Sequence, residues 1–151
     1  MINLQAGCGM REDLKLAKRK LQENGLTLVV VKDSKVLFES ASHGVSAFLK
    51  ALDKLGCQMK GASVADKVVG KAVALLCIYA GIEAVYASVL SIKAKQVLEE
   101  YGVYFEWDRI VERILEASGR DVCPFEKAAM EIDSPKEAYG KLKALLNPLM
   151  K

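Results

Sequence analysis

The run Ser63-Val64-Ala65-Asp66-Lys67-Val68-Val69-Gly70-Lys71 passes without a break into the apolar segment from Ala72 to Ala80, and Gly81 follows as a stop. No other stretch constrains the chain as much. Wound at about 100° per residue, Ser63, Asp66, Lys67, Gly70, Lys71 and Ala74 share one side, and Val68, Val69, Ala72, Leu75, Leu76 and Tyr79 the other. Cys77 and Ile78 then fall in the sector that was polar. A surface helix keeps its polar stripe for its whole length. The pattern therefore predicts a helix over 63–80 that is wet at its mouth and dry behind, as when a helix enters a core from a cleft.

With 151 residues, 52% hydrophobic and 27% charged, the chain is expected to form a single domain over 1–151, with 1–10 as a loose lead-in. The longest apolar run, 72–82, is shorter than the roughly 18 residues a bilayer span needs. No basic region precedes an apolar block at the N-terminus. No membrane segment and a cytoplasmic location are expected. A net charge of +3 is too slight to argue for nucleic acid. The one basic cluster, Lys15, Lys18, Arg19 and Lys20, has no interleaved aromatic residues and reads as a solvated face. Cys8, Cys57, Cys77 and Cys123 are scattered, without the spacing of a zinc or redox motif, and read as thiols. No cofactor is implied.

Taken in order, Arg11 to Asn24 reads as a helix with Leu14, Ala17 and Leu21 inward, ended by Gly25. Thr27 to Lys32 and Val36 to Ser40 read as a hairpin turning at Asp33-Ser34. Helices are predicted over 45–55 and 63–80, and a strand from Glu83 to Leu90. Ser91 caps a helix from Ile92 to Tyr101. Val103 to Trp107 is a strand, and Asp108 caps a helix from Arg109 to Ala117. Pro124 and Pro135 start the last two helices, the second reaching about Leu146. This order implies an α/β fold of three layers, α-β-α, around a mixed sheet of about four strands. Right-handed crossovers bring the N-termini of the Ser63 and Ser91 helices to the carboxyl edge of that sheet, where ligands of open α/β folds bind.

Several side chains gather at that edge. Ser63-x-x-Asp66 fits a capping box. Cations are disfavoured near a helix N-terminus, so Lys67 and Lys71 should pair with a carboxylate or hold an anionic ligand. Gly70 between them leaves room for a ligand or for close packing. Ser88 and Ser91 flank the next helix start, whose free N–H groups favour an anion, although capping alone also accounts for Ser91. His43, the sole histidine, leaves the second strand toward the same edge or simply serves its turn. In Cys123-Pro124-Phe125-Glu126, the helix dipole can favour a thiolate, a buried apolar thiol being the competing reading. Glu126 can cap its helix or pair with Lys71. No histidine or carboxylate is tied to Cys123 by sequence as a triad would require.

Phe38-Glu39-Ser40 with Gly44-Val45, Ala65-Asp66-Lys67-Val68-Val69-Gly70-Lys71-Ala72, and Cys123-Pro124-x-Glu126 resemble an uncharacterised family of small bacterial and archaeal proteins, domain of unknown function 1893. The resemblance covers nearly all of the chain from about Leu14, and it implies a cytidine-deaminase-like fold. Zinc deaminases place His-x-Glu or Cys-x-Glu at one helix start and Pro-Cys-x-x-Cys at the next. Here Asp66-Lys67 and Leu90-Ser91-Ile92-Lys93 stand at those places, so zinc-dependent deamination is not expected. The resemblance implies the same cleft, relined with Asp66, Lys67, Lys71, Cys123 and Glu126.

The expected function is a metal-free cleft for a small anionic or nucleotide-like molecule. Lys67, Gly70, Ser91, Glu126 and His43 are its binding candidates, and Cys123, Lys71 and Asp66 its catalytic candidates. The alternatives are an enzyme using Cys123 as nucleophile, its pKa lowered by Lys71, and a non-catalytic protein-interaction module. Tyr101, Tyr104, Phe105 and Trp107 read as packing under the last helices, with a homodimer interface as the other use.

Overall fold

In the computed structural model, which describes residues 4–42, 44–115 and 123–150, the chain turns its first hairpin at Asp33 and Ser34. Both have positive φ (51° and 65°), as a two-residue turn between twisted strands requires. Their N–H groups donate to the Asp13 carboxylate at 3.1 and 2.9 Å, which ties the turn to the first helix. That helix, α1, runs over Leu4–Glu23. The expected loose lead-in is thus helical from Leu4 onward.

The hairpin strands are β1 (Leu28–Lys32) and β2 (Lys35–Ser40), followed by α2 (Gly44–Leu55) and a short 3-10 turn, Gly56–Met59. Next comes the main departure from expectation. The stretch 63–80 is two elements, β3 (Ser63–Val69) and α3 (Lys71–Ala80), with Gly70 as the N-cap of the helix. Val64, Val68 and Val69 are β-branched and fit a pleated strand better than a helix. Pairing on both sides decides the matter: β3 lies antiparallel to β1, with Leu28 opposite Asp66, and parallel to β4, with Ala87 opposite Asp66. A strand that is central in the sheet satisfies its backbone without helical bonds. The Ser63–Asp66 capping box therefore does not form.

The chain continues through β4 (Ala84–Ser91), α4 (Ile92–Glu100) and β5 (Tyr104–Val111). The helix expected at Arg109 is a second correction. Arg109, Ile110 and Val111 pair with Val89, Leu90 and Ser91, so β5 continues through Asp108. Asp108 accepts a hydrogen bond from the Tyr86 hydroxyl instead of capping a helix. Residues 112–115 of that expected helix are not helical, and 116–117 lie outside the described residues. Two helices close the chain, α5 (Pro124–Ala129) and α6 (Pro135–Met150).

The sheet has five strands in the order β2-β1-β3-β4-β5, one more than expected, the extra one being β3. Alternation along the strands divides the core in two. Val29, Val31, Ala65 and Tyr86 face α1 with Leu14, Ala17 and Leu21. Leu28, Val30, Val64 and Val85 face the larger layer of α2 to α6. Within that layer Ala72 to Cys77 of α3 are all buried. The α/β three-layer architecture stands, with α3 buried in its larger layer and, among the described residues, α1 alone on the other face. Among the described residues no helix is long and apolar enough to cross a membrane.

Candidate functional site

The parallel strands β3, β4 and β5 end at one edge of the sheet, and α3 and α4 begin there. Asp66 is the central residue of β3, two places along the strand from Val64 and so turned toward α3. Its residue is fully buried. Oδ1 accepts the Val68 N–H at 3.2 Å, while Oδ2 is buried with no hydrogen-bond partner. Burial pushes its pKa up from 3.8 to about 8, against the partial offset of the Val68 and Lys67 backbone N–H groups. At neutral pH Asp66 is thus mainly a carboxylic acid. Burial and the neighbouring Asp66 charge also raise the Cys77 thiol on α3.

Glu126, in the first turn of α5, is the second buried carboxyl, and its circumstances are the reverse. Its two oxygens accept the backbone N–H groups of Lys71 (2.9 Å) and Ala72 (2.8 Å). It caps α3 rather than its own helix, supplying a negative charge where the helix dipole favours one. Burial raises its pKa, with those two N–H groups and the charges of Lys71 and Lys93 pulling the other way. Gly70 makes this arrangement possible. A Cβ there would lie 2.3 to 2.6 Å from the Glu126 carboxyl atoms. The gap left by Gly70 is filled by Glu126.

Lys71 is the first residue of α3, not a residue two turns inside a helix. Its side chain is 11% exposed, and Nζ donates to the Met130 carbonyl at 3.1 Å and lies 3.5 Å from Asp133, itself 99% exposed. Lys67 projects from β3 and is exposed at the mouth of the cleft. Ser91 is buried and caps α4, its Oγ accepting the Ala94 N–H at 3.1 Å. Ser88 faces the other way, 3.5 Å from the Tyr86 hydroxyl. Cys123 precedes α5 and is 4% exposed. His43 lies outside the described residues.

Two cavities share Glu126 and Ile114. One, of about 190 Å³, brings Asp66, Lys67, Gly70 and Cys123 together between apolar walls that include Val45 and Val73. The other, of about 280 Å³, is lined by Lys71, Ser91, Lys93, Glu112 and Arg113. The candidates from sequence thus divide between two neighbouring chambers. Lys93 and Arg113 are additions. Lys93 follows the Ser91 cap by two residues, so its place in the first turn of α4 was readable. Arg113 was hidden by the helix expected over 109–117.

Fold and site together define a three-layer α/β protein with a cleft at the carboxyl edge of its parallel strands. A family model, TM1506: Domain of unknown function (DUF1893), matches residues 16–146, and the chain belongs to that family. The DUF1893 family protein TM1506 from Thermotoga maritima is 26% identical with a TM-score of 0.81, over 89% of this chain and 90% of that one. RibD from Acinetobacter baumannii is similar at 24% identity and a TM-score of 0.42, over 70% of this chain and 35% of that one. The dCMP deaminase of cyanophage S-TIM5 is similar at 16% identity and a TM-score of 0.44, over 74% of this chain and all of that one (100%). The last two likenesses concern the fold and carry no argument about chemistry. No curated protein matches the chain significantly.

Gly70-Lys71-Ala72 and Ser91-Ile92-Lys93 stand at the starts of α3 and α4. Among the described residues no three His, Cys, Asp or Glu side chains are grouped to hold a metal ion.

Proposed function

We propose that the cleft binds a small anionic, nucleotide-like molecule, with its anionic group in the chamber of Lys71, Lys93 and Arg113. The observation that supports this best is the state of Lys71. Its ammonium is held in the chamber wall by a neutral carbonyl and by a carboxylate 3.5 Å away that is almost wholly in solvent. A pair that exposed on one side contributes little, so most of the positive charge remains to be met. Glu126 offsets part of it through space but makes no direct contact, because its oxygens are occupied by the α3 backbone, and Glu112 is the other carboxylate of the chamber. Lys93 and Arg113 add two further cations to the same walls, and Arg suits bidentate contact with phosphate or carboxylate.

The test is calorimetric titration and thermal shift with inorganic pyrophosphate and with nucleoside monophosphates. Binding should weaken by about tenfold or more in Lys71→Met and in Lys93→Ala/Arg113→Ala, the loss expected for a charge-assisted contact. Absence of any anion effect, or equal affinity in the variants, refutes the reading.

A cysteine-dependent reaction is a second reading, supported by the presence of Cys123 in the Asp66 chamber. It requires that Cys123 be labelled by a thiol reagent at neutral pH faster than a free thiol. Slow labelling counts against it.

A further inference from the structure

We infer that the Asp66 chamber is the pocket for an uncharged flat ring bearing a hydrogen-bond acceptor and an N–H side by side on one edge. This rests on reading the cleft as a ligand site but not on the anionic end of that ligand. The first observation is an imbalance of hydrogen bonding. Asp66 is fully buried in the middle of a sheet, where one oxygen is used by Val68 and the other by nothing. An unmet polar atom in a core is destabilising, and it is met at once by a ligand that supplies the missing partner. The second observation is the space beside it. A cavity of about 190 Å³ has Asp66 in its wall, and cavities of roughly 150 Å³ accept a benzene ring.

The walls fix the rest of the class. Val45, Val73, Ile114, Leu115 and Cys123 give the chamber mainly apolar walls, with Lys67 exposed at its mouth and the Glu126 carboxyl bonded to α3, which favours a ring over a flexible polar chain. An ionised ligand would carry charge into that apolar space, at a large desolvation cost. A neutral carboxylic acid has one donor, on its hydroxyl, and keeps acceptor capacity on its other oxygen. The edge complementary to it has an acceptor for the hydroxyl next to an N–H for the carbonyl, as lactams and amino-substituted ring nitrogens have. Glu126 and Ile114 line both this chamber and the basic one, so the ring and an anionic substituent can occupy neighbouring spaces.

The experiment uses the whole chain and two uncharged probes, 2-pyridone, which has the edge, and toluene, which lacks it. Binding is followed by shifts of valine and leucine methyl signals in two-dimensional NMR. 2-Pyridone should shift Val45 and Val73 and bind about tenfold or more tighter than toluene. Asp66→Val should lose that preference while melting higher than the wild type. Asp66→Asn, which keeps a donor and an acceptor, should retain it, and it carries the test if the valine variant does not fold. Equal binding of the two probes, no binding of either, or an unchanged preference in Asp66→Val overturns the proposal. If 2-pyridone binds as expected while Lys71→Met leaves pyrophosphate binding unaltered, the ring pocket stands and the anionic reading falls.

Discussion

Replacing Asp66 by Asn should remove a large, directional pH dependence from the stability of the fold. Below pH 3.8 the carboxyl is protonated in both folded and unfolded chains and contributes no pH term. Between 3.8 and about 8 the unfolded chain has released the proton and the folded chain retains it. Folding then takes up a proton, so stability falls as pH rises, and it levels off above about 8. Each pH unit in that window costs about 1.4 kcal/mol, and from pH 5 to pH 8 the loss amounts to about 4 kcal/mol. For a chain of this size 1 kcal/mol moves the melting temperature by about 2–4 °C. The wild type should therefore lose about 8–16 °C relative to Asp66→Asn over that range. Asparagine is nearly isosteric and equally unable to satisfy its buried oxygen and nitrogen, so the difference isolates the proton. Glu126 also titrates upward through burial, but it does so in both proteins. Thermal melts at half-unit steps, supported by direct measurement of proton uptake on refolding at pH 6, give the answer. Parallel curves for the two proteins would show that Asp66 is ionised in the folded state and would remove the basis for a neutral acid at this site.

Gly70→Ala should drive the Glu126 carboxylate off the α3 N-terminus, since the new methyl would overlap it. The cost is two charge-assisted hydrogen bonds, about 2–4 kcal/mol by denaturant midpoint. Glu126→Gln keeps the shape but turns an amide group toward backbone donors, and about 1–3 kcal/mol should be lost. Because both changes act on the same cap, the double variant should cost clearly less than their sum, and additivity would disprove the linkage. Ser91→Ala removes the Ala94 cap and should cost about 1 kcal/mol. In thiol labelling followed by peptide mass mapping, exposed Cys57 should react well before buried Cys77 and Cys123. Early modification of Cys123 would instead favour the cysteine-dependent reading.

Most of the architecture is legible in the chain because its punctuation is local. The hairpin at Asp33-Ser34, the Ser91 cap and the proline at the start of α5 each state their role within a few residues. The misreading of 63–80 has a physical cause. In Ser63-Val-Ala-Asp-Lys-Val-Val the apolar positions satisfy both a helical and an extended pattern, and only tertiary pairing with β1 and β4 separates the two. Gly70, inside the helix predicted over 63–80, is the boundary between strand and helix. The proposed cleft keeps its location under both readings because it depends on where the parallel strands end, where Lys71 begins α3. The roles did not survive. A cap became a buried acid, and Glu126, given to its own helix or to an ammonium, became the cap of another helix. Neither exchange is visible in sequence, since each depends on a contact between residues more than fifty positions apart or on the burial of a single atom.

The two carboxyls of the Asp66 chamber separate structural from functional duty by a common criterion, the number of partners each oxygen has. Glu126 has both oxygens bonded to α3, and the space it occupies is reserved by a glycine. Everything about it is accounted for by helix capping, and its removal should be felt as lost stability. Asp66 has one oxygen unmet, a raised pKa and an apolar space beside it. As a structural residue it is a net loss, since an apolar side chain of similar size would leave no polar group unpaired. The ring-pocket proposal gives a residue that weakens the fold where it stands a reason to be there. Stability and binding should consequently move in opposite directions at Asp66 and in the same direction at Glu126, a contrast that two single variants and one ligand titration can measure.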